Sequence, residues 1–129
     1  PDLLVTNLGL ETLALDPLAA VILTPYVFIS VVVVIISWNR NWLARGGGGY
    51  NVMNVARTWT QAWAVMKGAD VPDVLPEAFV NQHRAELGRT STLSDPVSDM
   101  DAPIADGVRK LAASVVAGIK ENIFPVLGA

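Results

Sequence analysis

The 129-residue chain has no cysteine, which removes disulfides, thiolate metal sites and cysteine nucleophiles at a stroke. Histidine is nearly as scarce: His83 stands alone in Asn81-Gln82-His83-Arg84. A metal site needs three or four ligands, and one histidine among scattered carboxylates does not supply them, so His83 reads as a surface or structural residue. Charge is thin, at 16% of residues, and the net charge of −3 is too mild for a nucleic-acid surface. Basic residues are missing altogether from the first 39 positions, which carry only Asp2, Glu11 and Asp16. There is no HExxH, no GxSxG and no Walker sequence, so nothing announces a catalytic chemistry or a cofactor.

What is abundant is apolar surface. Mean hydropathy is +0.43, and the excess lies in residues 18–38, LAAVILTPYVFISVVVVIISW, an uncharged run between Asp16 and Arg40. As a helix it would measure roughly 30 Å, the thickness of a bilayer's hydrocarbon core. Its thirteen Leu, Ile, Val and Phe side chains would contribute on the order of −5 kcal/mol toward insertion. Asp16-Pro17 supplies an N-cap and a first-turn proline. Trp38 and Trp42, with Arg40 and Arg45, read as an interfacial girdle. Pro25 is tolerated near the outer end, and the run holds no ionisable group for a relay or a cofactor ligand. All nine basic residues follow the run, which predicts an outside N-terminus and a body on the cytoplasmic or equivalent side.

Beyond the run, Gly46, Gly47, Gly48 and Gly49 read as a flexible hinge rather than a phosphate loop, because no Lys-Ser/Thr follows them. Residues 51–67 predict an amphipathic helix capped by Asn51 and ended by Gly68, with Val52, Ala56, Trp59, Trp63 and Met66 on one stripe. A short helix follows over 77–87. Residues 89–103, rich in Ser, Thr, Asp and Pro, read as a strap. Its Asp95, Asp99 and Asp101 lack the glycine and spacing of a calcium loop, and Asp101 reads as the cap of the next helix. That helix carries Ile104, Val108, Leu111, Val115 and Ile119 on one face. Residues 3–15 read as an interfacial helix or an extended arm.

The expected architecture is therefore all-α. It comprises an arm over 1–16, a transmembrane helix over 17–39, a girdle and hinge over 40–50, and a helical body over 51–129 with no large core of its own. The expected role is a non-catalytic, single-span structural subunit of a respiratory or photosynthetic complex, a secretion machine or a membrane-containing virion. Membrane lipid and other protein subunits are its expected partners, with no nucleic acid, metal or cofactor. A holin-like permeabilising protein and a single-span adaptor are the alternatives.

Overall fold

The computed structural model describes residues 2–14, 16–18, 23–95 and 102–128. The chain divides into two compact units, Pro1–Pro96 and Val97–Ala129.

The first unit opens with a strand rather than a helix. β1 (Leu3–Leu8) is joined through α1 (Pro25–Ser37) to β2 (Asn41–Gly46), and the two strands pair in parallel with Leu3 opposite Asn41 and Leu8 opposite Gly46. Leu4, Thr6 and Leu8 of β1, with Trp42 and Ala44 of β2, turn inward while their neighbours face out, the two-residue alternation of a pleated strand. Parallel strands need a crossover of a dozen or more residues, and α1 is that crossover. Asn39 adopts φ 49 between α1 and β2, a left-handed conformation that Asn tolerates better than most residues.

The expected transmembrane helix is corrected here, and with it the all-α class. Among the described residues no helix is long and apolar enough to cross a membrane. The apolar run is divided: Leu23 forms a parallel bridge with Leu13, accepting from Ala14 and donating to Thr12. The helix begins only at Pro25, with Thr24 as its N-cap. Proline fits the first turn, where its missing N–H costs nothing, so Pro25 starts this helix. The resulting 13-residue α1 is about 20 Å long. Residues 19–22 of the expected span lie outside the described residues. The Asp16-Pro17 start is likewise replaced, because Asp16 accepts from Leu18 N in a turn at 3.0 Å.

α2 (Val52–Lys67) starts where Asn51 accepts from Asn54 N at 3.1 Å and stops where Gly68 turns left-handed. It packs on α1 over a core of Leu10, Leu13, Phe28, Val32 and Ala62, flanked by Trp42, Val55, Trp59 and Met66. Phe28 meets Trp59 edge-on, with ring centroids 5.5 Å apart. A second cluster of Leu75, Leu87 and Leu93 lies beside α3 (Glu77–Gln82) and α4 (Arg84–Leu87). Buried Arg57 ties the segment after α4 to α2. Its guanidinium donates to Thr92 O at 2.7 Å and to Asn54 Oδ1 at 3.3 Å, and it forms an ion pair with Asp95.

The second unit is α5 (Ala102–Asn122) followed by α6 (Phe124–Leu127). No residue of either helix is buried, and Ile104, Val108, Leu111, Val115 and Ile119 are all exposed. Asp101, the expected cap of α5, lies outside the described residues, as do Pro96 and Asp99 of the strap.

Candidate functional site

The register of the parallel pair brings two loops together. Leu8 and Gly46 end their strands side by side, and in open α/β structures ligands gather at the carboxyl ends of strands. The loop after β1 and the glycine tract after β2 are laced by backbone hydrogen bonds: Gly47 N donates to Leu8 O at 2.8 Å, and Leu10 N donates to Gly48 O at 2.6 Å. The approach is close enough to exclude side chains. A Cβ on Gly47 would stand 3.1 Å from Gly9 N and 3.2 Å from its Cα. The four glycines thus make the contacts of a packed loop, with Gly46 inside β2.

Glu11 projects into this meeting point. Its Oε2 is buried with no hydrogen-bond partner, and it lies against Gly9 and Gly48; a Cβ on Gly48 would be 2.5 Å from it. A buried carboxylate oxygen without a donor is costly, and native structures keep such groups for a reason. Two residues beyond Gly48, Tyr50 is 58% exposed.

Asp16 locks the two loops. Its Oδ2 accepts from Tyr50 N at 2.6 Å and from Asn51 N at 3.2 Å, while Oδ1 accepts from Leu18 N. Loss of water pushes this carboxyl up, but the backbone N–H groups of Tyr50, Leu18 and Asn51 together outweigh that, holding it below its ordinary 3.8. Asn54 adds a strut from α2, donating to Ala14 O at 2.8 Å. In the same unit, Asp73 accepts from Ser94 Oγ at 2.7 Å and from Ser94 N at 2.9 Å; these bonds, against some desolvation and with help from Arg57, also lower its pKa.

Both depressed carboxyls carry the same sign. Each contributes stability that is full above the unfolded-state value and is lost as pH falls through the lower folded-state value. Thermal midpoints should therefore be level around neutrality and fall from about pH 4 downward. A scan from neutral to acidic pH checks this, and Asp73→Asn should flatten part of the decline.

The other residues singled out from sequence are dispersed. Trp42 belongs to the sheet, its Nε1 donating to Thr6 Oγ1 at 2.9 Å, whereas Trp38, Arg40 and Arg45 are exposed. On α2, Trp59 and Met66 reach the core, but Val52 and Trp63 are exposed and Ala56 lines an apolar groove with Phe79. His83 packs against Phe79 with the rings tilted by 46° and their centroids 4.7 Å apart. Among the described residues no group of three or more His, Cys, Asp or Glu could hold a metal ion. Sequence reasoning passed over Glu11 and Tyr50 as functional residues and read Asp16 only as a helix cap. The available signal was weak: a short segment with apolar residues ends in glycine at Leu8-Gly9 and again at Arg45-Gly46, with Glu11 two residues past the first glycine and Tyr50 directly after the second tract.

Comparison with known proteins bears on the same segment. A family model described as the histone deacetylase domain matches residues 1–66. Histone deacetylase 8 of Danio rerio is 34% identical over 77 residues, covering 60% of this chain and 20% of the relative. The corresponding protein of Xenopus tropicalis is 32% identical over 77 residues, covering 60% and 21%. Histone deacetylase 1 of Homo sapiens is 37% identical over 76 residues, covering 59% and 16%. The chain spans 16% to 21% of the length of these relatives.

These matches overturn the non-catalytic structural subunit, together with its holin-like and adaptor alternatives and the expectation that the chain is no enzyme. Single-pass localisation with an outside N-terminus falls with the span it was built on, and membrane lipid as a partner has no support. Residues 25–37 of the apolar run that suggested them are here the crossover helix between two paired strands. With 66 of 129 residues inside the family model, the chain belongs to the histone deacetylase domain family.

Proposed function

We propose that this chain supplies part of a site that hydrolyses the acetyl amide of a modified lysine in a protein substrate. The observation that carries the reading is the buried, unpartnered Glu11 Oε2 at the carboxyl ends of the parallel strands, facing the glycine cradle. The names of the matched relatives supply the reaction class and make histones the first substrate to try.

Amide hydrolysis adds water across the carbonyl, passes through a tetrahedral oxyanion, and releases acetate and the lysine amine. The chemistry needs a group that manages the water and a donor for the oxyanion. Glu11 is the carboxylate available for the first task. Tyr50, exposed and two residues past the glycine that touches Glu11, carries the phenol for the second.

The test is a chimera in which the matched segment of zebrafish histone deacetylase 8 is replaced by that of this chain. Acetate release from an acetyl-lysine peptide is then measured. The chimera should turn over, and Glu11→Gln and Tyr50→Phe should each lower kcat by about 10²-fold. A folded chimera that is inactive, or one indifferent to both substitutions, would overturn the reading.

A further inference from the structure

We propose that Asp16 is a positioning residue, its carboxylate holding the backbone of Tyr50 and Asn51 so that the Tyr50 phenol leaves its loop in a fixed direction beside the Glu11 cradle. This rests on the proposed hydrolytic role for what the phenol does there.

Three observations carry it. Tyr50 follows four glycines, the last at φ +135, so the chain leading to it has little stiffness of its own. The residue is 58% exposed, so packing does little to hold it. Asp16, only 9% exposed, accepts two successive N–H groups, from Tyr50 and Asn51, across 34 and 35 positions of sequence. These bonds are charge-assisted, and they sit where the first turn of α2 favours a negative group.

Asparagine is a poor substitute. Oδ1 serves Leu18 N while Oδ2 serves Tyr50 N and Asn51 N. An amide has a single acceptor oxygen, so one side would press an NH2 group against an N–H donor.

The experiment is amide exchange and two-dimensional NMR on the full chain. In Asp16→Asn, the amides of Tyr50 and Asn51 should exchange at least about tenfold faster, while those of Val32 and Ala62 in the core keep their protection. Unchanged protection at Tyr50 and Asn51 in the folded variant overturns the proposal.

If the variant loses core protection as well, titration of the unmodified chain decides. The Tyr50 and Asn51 amides, and the Tyr50 ring resonances, should shift together with a midpoint below 3.8, while the ring of Tyr26, exposed on α1, stays still. Repeating the titration in Glu11→Gln removes the other carboxyl of the same loop as a cause. No shift at Tyr50 over that range refutes the clamp. None of these readouts needs turnover. An inactive chimera with Tyr50 still tied to Asp16 would therefore refute the reaction and leave the clamp standing.

Discussion

Gly49→Ala should destabilise the first unit by about 3–4 kcal/mol, which in a chain of this size lowers the thermal midpoint by roughly 10–15 °C. Two costs add. Gly49 sits at φ +135, where an L-residue carries strain of about 1–3 kcal/mol. Its new Cβ would also stand 2.8 Å from Val55 Cγ2 and 3.1 Å from Leu10 Cβ. Val55 flanks the main core and Leu10 is within it, so neither yields freely and overpacking adds about 1–3 kcal/mol. Gly68 is the control. It too has positive φ, at 61, but a Cβ there meets nothing within 4 Å, so Gly68→Ala should cost only about 1 kcal/mol. Thermal unfolding of the two variants separates crowding from dihedral strain. Equal losses would mean that the glycine loop is not packed as described.

Asp95→Ala should cost about 3 kcal/mol, more than removal of its partner. The Arg57 side chain is 4% accessible and that of Asp95 28%. Deleting the carboxylate leaves a guanidinium in the interior with two neutral acceptors, Thr92 O and Asn54 Oδ1, and only the through-space attraction of the Asp73 carboxylate. An uncompensated buried charge is the expensive half of a broken pair. Arg57→Met instead removes the buried charge and leaves a carboxylate that reaches water. Arg109 and Asp106 give the surface reference, with side chains 75% and 64% accessible, and Asp106→Ala should cost about 0.5 kcal/mol or less. Urea unfolding of the three variants tests the ranking; an Arg57→Met loss equal to that of Asp95→Ala would sink the asymmetry.

The limits of α2 were legible because capping is local. Asn51 reaches Asn54 N within one turn, and Gly68 tolerates the left-handed stop wherever the helix lies. Its inward face was less so. The stripe Val52, Ala56, Trp59, Trp63 and Met66 is regular, but Asn54, Arg57, Thr58, Ala62 and Ala64 are what the first unit buries, with Val55, Trp59 and Met66 packed against its core. Both sets keep helical spacing, and only the neighbours decide between them. The β-strands were harder still. Leu3–Leu8 contains apolar residues at spacings that suit a helix or a strand, and its partner lies 38 positions away at Asn41–Gly46.

The apolar run shows why hydropathy alone misled. A valine-rich stretch satisfies a bilayer and a crossover helix on a parallel sheet by the same transfer free energy. What divides them here is Leu23, drawn into a bridge with Leu13, and Pro25, placed at the first turn of a helix too short to span.

By itself, then, the sequence determined the features settled within a turn of chain: where α2 starts and stops, the break near Gly88, the amphipathic character of α5. The tertiary structure alone decided that Glu11, Asp16 and Tyr50 share one end of a parallel strand pair and that four glycines are packed against it. The reason is separation. Caps and periodicities act over three or four residues, whereas this site exists only because strands far apart in sequence pair in one register and bring their following loops into contact.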